Sequence, residues 1–177
     1  MKTNNVFESL RAMMNRLRTT ALVSLAAMAM AISLTGCFSS AEGPEVKHNG
    51  KSYMLYTALG VHDLSGEFVL GFDIEEEINK WPEFEITQIN DKFCVLQGSH
   101  PDYIDNVSML GYIDEDEDIC VVTYAPNHYF NVSMAEGDFA VIAVHANGQE
   151  FPEAYTFDWD EFTWERDRSL DTMMRYE

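Results

Sequence analysis

Short apolar runs separated by polar turn residues recur along the chain from residue 45 onward. Asn49-Gly50 and Asn147-Gly148 lie between such runs and suit tight hairpin turns, because both central positions of a type I′ turn need a positive φ angle. Asn90-Asp91 separates two further runs in the same way. Strand-length runs with turn signals at this spacing predict a mainly β domain, a small antiparallel β-sandwich or barrel with minor helix.

Residues 66–74 alternate between apolar and other side chains, which predicts a strand with one apolar face. The members of that face are Phe68, Leu70, Phe72 and Ile74. Residues 73–81 overlap this strand and carry apolar residues at helical spacing, so they predict a short helix that Pro82 ends. Pro152 predicts that the strand after it lies at a sheet edge, since proline has no N–H for a neighbouring strand. Residues 160–177 predict either a terminal helix or a loose tail.

A segment of a different kind precedes this domain. Residues 21–34 form an uncharged run of 14 residues, and Arg11, Arg16 and Arg18 lie before it. A membrane-spanning helix needs about 20 apolar residues, so the run is short for a span. A basic start followed by an apolar run of this length is typical of a signal peptide.

The apolar run ends at Leu34-Thr35-Gly36-Cys37, which resembles the lipobox of bacterial lipoproteins. The resemblance covers residues 1–37 and carries no information about the fold. It implies cleavage before Cys37, a thioether-linked diacylglyceryl group on the thiol, and an acyl chain such as palmitate on the new amino group. Each buried methylene adds about 0.8 kcal/mol of membrane affinity, so several chains make a durable anchor. An ordinary secretory signal followed by a structural cysteine is the alternative.

These assignments divide the chain into three parts. Residues 1–36 are the predicted signal peptide, residues 37–44 a short tether, and residues 45–177 a single β-rich domain. Phe38 stands where an aspartate would resemble the signal for retention in the inner membrane. In a bacterium with two membranes, we therefore expect an exported protein that is anchored in the outer membrane and faces the periplasm.

The charge of the chain is strongly negative and unevenly distributed. The full chain has a formal net charge of −19, and residues 37–177 alone hold 7 basic and 29 acidic residues, a net charge of −22. Such a surface repels phosphate backbones, which excludes nucleic acid as a partner of the domain. The negative charge favours solubility, a cationic partner or a divalent metal ion.

With Cys37 assigned to lipid, Cys94 and Cys120 remain as a pair in an exported domain. Such a pair predicts a disulfide. It would close a loop of about 27 residues and stabilise the fold by about 3.5 kcal/mol in a chain-entropy model. Two buried free thiols are the alternative, because a disulfide requires the two Cα atoms to lie within about 7 Å.

Two polar clusters are candidate metal sites or acid–base groups. The first is an acidic run that offers hard carboxylate ligands for calcium in Asp114, Asp116 and Asp118, without the glycine and spacing of an EF-hand loop. The second combines a histidine with nearby carboxylates in His100, Asp102 and Asp105. A solvated hairpin tip and an ordinary polar loop are the competing interpretations. The sequence contains no nucleophile, zinc or phosphate-loop motif.

The sequence leaves two classes of function open. The first, which we favour, is a membrane-anchored envelope lipoprotein with a non-enzymatic binding or structural domain, whose partners are the membrane, through its lipid, and an envelope protein or glycan. Aromatic side chains form a candidate binding surface unless they fill the core: Tyr53, Tyr56, Trp81, Trp159, Phe162 and Trp164. The second is a metal-dependent or hydrolytic envelope enzyme that uses the acidic carboxylates. For the binding protein we predict no cofactor besides the covalent lipid on Cys37. For the enzyme we predict calcium as well.

Overall fold

The computed structural model describes residues 43–102 and 105–174. The predicted signal peptide, Cys37 and the tether up to residue 42 lie outside the described residues. Among the described residues, no helix has the length and apolar character needed to cross a membrane.

The described residues form strands with two short helices, which confirms the predicted mainly β fold. In chain order the elements are β1 (Glu45–His48), β2 (Lys51–Tyr56), β3 (Gly60–His62), β4 (Phe68–Leu70), α1 (Ile74–Ile78), β5 (Glu83–Asn90), β6 (Phe93–Ser99), β7 (Asn106–Ile113), β8 (Ile119–Pro126), β9 (His128–Glu136), β10 (Phe139–Ala146), β11 (Glu153–Asp158), β12 (Thr163–Arg166) and α2 (Asp171–Met174).

The first sheet has the strand order β1-β2-β8-β7-β6-β5. β2 and β3 follow one another along the same edge of β8, and both run parallel to it. β4 pairs antiparallel with β3 and extends this part of the sheet outward. β1 and β5, at the two ends of the order, contact each other, so the sheet curls back on itself.

The second sheet is an antiparallel meander in the order β12-β11-β10-β9. β9 contacts β5, β6 and β7, and this places the second sheet against one face of the first. β11 lies between β10 and β12, so the edge position predicted from Pro152 is wrong. Pro152 precedes the first residue of β11, and its missing N–H therefore removes no hydrogen bond from the ladder.

The central strands of the first sheet are buried on both faces. One face packs against the second sheet through residues that include Phe93, Leu110 and Phe157. The other face encloses a second cluster inside the curl of the sheet, with Leu96 and Met109 among its members. Side chains on both sides of β6, β7 and β8 are consequently excluded from water, which explains why these strands carry apolar residues on both faces rather than on alternate positions only.

The predicted hairpins form, with differences in their turns. Asn49 and Gly50 have φ angles of 51° and 82° and join β1 to β2, as the sequence predicts. In the second hairpin the turn lies one residue later than predicted, because Asn90 still belongs to β5 and Asp91 adopts the positive φ angle of 55°. The third hairpin joins β10 to β11 through a longer loop that contains Gly148.

Residues 66–74 do not form one continuous strand. β4 ends at Leu70, because Gly71 has a φ angle of 68° and turns the chain. Asp73 then caps α1, since its side chain accepts a hydrogen bond of 2.9 Å from the backbone N–H of Glu76. α1 ends at Ile78, earlier than predicted.

The C-terminal segment is neither a single helix nor a loose tail. It contains β12 and then the short helix α2. Arg166 donates two hydrogen bonds, of 2.7 and 2.8 Å, to the carboxylate of Asp171. This bidentate ion pair fastens α2 to the end of β12.

Cys94 and Cys120 are both buried free thiols, so the prediction of a disulfide between them is wrong. Cys94 lies in β6 and Cys120 in β8, with β7 between them, which separates the strands by about 9.5 Å. Gly111 of β7 pairs with Cys94 on one side and with Val121 on the other. Cys94 is therefore aligned across the sheet with Val121, which follows Cys120 in the chain. Because neighbours along a strand point to opposite faces, the two thiols belong to different core clusters.

Candidate functional site

The acidic run 114–118 is held in place by hydrogen bonds within its own hairpin and to β2. One carboxylate oxygen of Asp114 accepts hydrogen bonds of 2.9 and 3.0 Å from the backbone N–H groups of Asp116 and Asp118. The other accepts a hydrogen bond of 2.7 Å from the Tyr56 hydroxyl. Burial, together with this hydrogen bond, raises the pKa of Tyr56. Asp114 therefore closes the hairpin between β7 and β8, as turn-forming aspartates do.

The second predicted cluster is a loop whose described part is held by a local contact. His100 Nδ1 accepts a hydrogen bond of 3.2 Å from the backbone N–H of Asp102. Asp105 lies beyond residues 103–104, which fall outside the described residues. Among residues 43–102 and 105–174, no group of three or more histidine, cysteine, aspartate or glutamate side chains is arranged to hold a metal ion.

Most of the aromatic side chains proposed as a binding surface pack inside the domain. Trp159 stacks on Tyr112 with ring centroids 3.9 Å apart and planes 4° apart. Trp164 is 3% exposed and stacks on Tyr155. Trp81 covers Gly98, where a Cβ atom would lie 2.6 Å from the Trp81 ring. These rings contribute apolar contact area to the fold rather than an exposed platform.

The hairpin formed by β3 and β4 presents a different kind of surface. Its turn is shaped by Asp63, whose Oδ1 accepts hydrogen bonds from the backbone N–H groups of Ser65 and Glu67 and from the Ser65 hydroxyl. The hydrogen bond from the Ser65 hydroxyl, supported by the backbone donors, lowers the pKa of Asp63. The Asp63 carboxylate is therefore ionised at neutral pH.

His62 attaches this hairpin to the rest of the domain. Its ring packs between Phe68 and Phe162, with centroid distances of 5.1 and 5.4 Å. His62 Nε2 donates a hydrogen bond of 3.1 Å to the backbone carbonyl of Phe162, and the backbone carbonyl of His62 accepts one of 2.7 Å from Thr123. Because these contacts fix the inner strand β3, the hairpin holds β4 in a defined position at the outside of the sheet.

Three large apolar side chains of this region are exposed: Leu59 by 51%, Val69 by 42% and Leu70 by 72%. Leu70 is paired with Gly60, which has no side chain to cover it. Gly60 is required there, because a Cβ atom would lie 1.9 Å from the backbone carbonyl oxygen of Val69. We call Leu59, Val69, Leu70 and the outer edge of β4 the β4 surface.

A shallow cleft of about 390 Å³ adjoins the β4 surface. Val69 lines it from β4, while Val61, Phe72 and Tyr124 form neighbouring parts of its wall. The apolar character of the β4 surface therefore continues into a concave part of the domain, where further apolar side chains can be buried.

Helix α1 supports this wall through Glu77. The Glu77 carboxylate accepts hydrogen bonds from Lys80, Tyr124 and Trp81, at 2.8, 2.8 and 3.3 Å. Burial opposes ionisation of Glu77, but the three donors together hold its pKa below the ordinary value. Glu77 is thus satisfied inside the protein and links α1 to β8.

Sequence reasoning did not identify the β4 surface. The alternation in residues 66–74 predicts only that Leu70 shares an apolar strand face with Phe72. The structure exposes Leu70 because the strand stops there and because its cross-strand neighbour is Gly60. The nearest signal in the sequence is the pair of glycines, Gly60 and Gly71, that bracket this region.

Comparisons with protein-family models, with curated proteins and with solved structures find no match to this chain.

Proposed function

We propose that this chain is a lipid-anchored protein of the bacterial cell envelope whose β domain binds an envelope partner without catalysing a reaction. The observation that carries the anchor is the sequence Leu34-Thr35-Gly36-Cys37 at the end of a 14-residue uncharged run with arginines before it. Cys37 is the proposed site of lipid attachment. The absence of aspartate at Phe38 favours the outer membrane, with the domain in the periplasm.

The position of the first strand supports this arrangement. β1 begins at Glu45, eight residues after Cys37. Eight residues span at most about 28 Å even when fully extended. An anchor at Cys37 would therefore keep the domain close to the membrane surface, where its partner would be another membrane-associated or envelope component.

The replacement Cys37→Ala tests the anchor. We expect the wild-type chain to partition into the detergent phase and to incorporate labelled palmitate, and the Cys37→Ala chain to lose the label. Ser40→Ala is the matched control, since it alters the same segment and should keep both properties. A Cys37→Ala chain that still carries the lipid label would contradict the proposed anchor.

The alternative enzyme function relies on carboxylates that already have other partners. Both oxygens of Asp114 accept hydrogen bonds within the structure, and among residues 43–102 and 105–174 no three or more acidic, histidine or cysteine side chains converge to hold a metal ion. Isothermal calorimetry with calcium and with zinc separates the two functions. We expect no saturable heat from either ion, and a stoichiometric signal would favour the metal-dependent enzyme.

A further inference from the structure

The outer edge of β4 has no strand partner among residues 43–102 and 105–174, because β4 pairs only with β3. A free edge presents backbone N–H and C=O groups with which a further strand can pair. Natural proteins usually protect such an edge with lysine, proline or a bulge. β4 consists of Phe68, Val69 and Leu70, so it contains no lysine, proline or bulge, and its length of three residues is the protective feature that it shares with natural edge strands.

Two of the three apolar side chains of β4, Val69 and Leu70, are uncovered, one on each face of the strand. Val69 and Leu70 are neighbours, so they point to opposite faces, and both are exposed. An added strand would place its alternate side chains beside each of them, and one face would also adjoin the cleft next to Val69. The β4 surface therefore offers apolar contact area and backbone pairing at the same place.

The charge around β4 is uniformly negative. Residues 63–79 contain six acidic residues and no basic residue. Four of the acidic side chains are exposed: Glu67, Asp73, Glu75 and Glu76. Glu77 is buried, and Lys80 forms ion pairs with Glu77 at 2.8 Å and with Glu76 at 3.6 Å. Glu67 directly precedes β4 and Asp73 follows it by three residues, so acidic side chains flank the strand on both sides along the chain. They attract cationic groups and repel the phosphates of a lipid surface.

We propose that the β4 surface binds an extended, basic segment of another envelope protein, which adds to β4 as a further strand. The backbone of that segment pairs with the free edge, its apolar side chains cover Val69 and Leu70, and its basic side chains meet the carboxylates that flank β4. This inference rests on the proposed binding function, but it does not depend on the lipid anchor.

The test uses the full mature chain in detergent and a fluorescent probe, the Lys-Val peptide, which has two lysines, then four valines, then two lysines, and is acetylated and amidated at its ends. Its contiguous valines present apolar side chains to both faces of β4, and its lysines flank the paired segment. We expect saturable binding with a dissociation constant below about 100 μM. Two control peptides separate the causes. The same peptide N-methylated at all four contiguous valines keeps the charge and the apolar side chains but cannot pair as a strand through either edge of that segment. A peptide with glutamates in place of the four lysines reverses the charge. Both controls should bind at least about tenfold more weakly.

Matched variants of the protein locate the site. Leu70→Ser should weaken binding at least about fivefold, because it removes buried apolar contact, whereas Tyr129→Ser alters an exposed side chain in β9 and should change little. Glu67→Gln combined with Glu75→Gln should weaken binding about threefold at low salt. Glu115→Gln combined with Asp116→Asn removes the same number of charges from the β7–β8 hairpin and should have no effect.

Several results would overturn the proposal. These are the absence of saturable binding of the Lys-Val peptide, equal binding of the N-methylated peptide, or equal losses in the variants and their matched controls. A final arm reconstitutes the lipidated chain in phosphatidylcholine vesicles. We expect the peptide affinity to stay within about twofold of that in detergent, and its loss would assign the β4 surface to lipid. If the chain proves to lack the lipid, the detergent assay is unaffected, so the two failures are distinguishable.

Discussion

β7 and β4 belong to the same sheet and are both apolar, yet their surroundings are opposite. In β7 every residue from Asn106 to Tyr112 is buried, because the second sheet covers one face and the curl of the first sheet covers the other. In β4 neighbouring side chains on both faces are exposed, and the outer edge lacks a strand partner among the described residues.

The comparison shows that the position of a strand in the sheet, rather than the type of side chain, decides whether an apolar residue is buried or exposed. Leu110 in β7 is fully buried and Leu70 in β4 is 72% exposed. A leucine at the centre of the sheet contributes to the stability of the fold. A leucine at the free edge contributes little to that stability and is available to a partner.

The largest contrast is expected from removing these two leucines. Leu110→Ala leaves a cavity between the sheets and should lower the free energy of unfolding by about 2–5 kcal/mol. Leu70→Ala should change it by less than about 0.5 kcal/mol, because the side chain is exposed. Urea unfolding followed by circular dichroism measures both. Similar losses in the two variants would contradict the difference between the strands.

Gly111 tests how tightly the centre is packed. A Cβ atom there would lie 2.4 Å from Ile119 Cγ2 and 2.8 Å from Cys94 Sγ. Gly111→Ala should therefore lower the free energy of unfolding by about 1–3 kcal/mol through overpacking. The measurement is the urea midpoint at constant slope, and an unchanged midpoint would show that the two central strands have room to separate.

Asp114 tests the hairpin that joins the two central strands. Asp114→Ala leaves two backbone donors and the Tyr56 hydroxyl without their acceptor, so we expect a loss of about 1–2 kcal/mol in the free energy of unfolding. Asp116→Ala in the same loop is the control and should cost less than about 0.5 kcal/mol. Equal effects would mean that the run acts only through its total charge.

The buried thiols Cys94 and Cys120 are tested by their reactivity, which should differ sharply between the native and the unfolded protein. Burial raises the pKa of Cys94 and of Cys120 to about 12. Native protein at pH 8 should therefore show no reactive thiol, and the unfolded lipidated chain should show two. A third reactive thiol would place a free thiol at Cys37, and fewer than two would indicate a disulfide.

The same thiols predict a pH dependence. Their pKa is raised in the folded state, so their contribution to stability is complete below the unfolded value of about 8.5. It is lost as pH rises through the folded value of about 12. We expect the free energy of unfolding to fall between these two pH values, with a smaller fall in Cys94→Ala. An equal fall in that variant would assign the pH dependence to other groups.

Local turn chemistry is the part of the fold that the sequence predicts well. Asn49 and Gly50 adopt the positive φ angles that their types favour, and the mainly β character follows from repeated short apolar runs. Those features depend on a few adjacent residues. The positions of the hairpins can therefore be predicted without knowledge of any long-range contact.

Features that depend on distant strands are not predicted. Cys94 and Cys120 fall on opposite faces because β7 separates their strands, and nothing near either residue encodes that order. Leu70 is exposed because Gly60 is its cross-strand neighbour. The β4 surface therefore arises from strand pairing, whereas the proposed lipobox at Leu34-Thr35-Gly36-Cys37 rests on adjacent residues alone.

Hydrogen exchange in the presence and absence of the Lys-Val peptide tests the account most directly, since it reports on both strands in one experiment. Amides of β7 and β8 should exchange slowly in both states. The pairing register directs the Val69 amide toward β3 and leaves the amides of Phe68 and Leu70 on the free edge. These two amides should exchange rapidly in the free chain and at least about tenfold more slowly with saturating peptide. Slow exchange of both in the free chain, or unchanged exchange with peptide bound, would contradict the claim that β4 is a free edge that receives a further strand.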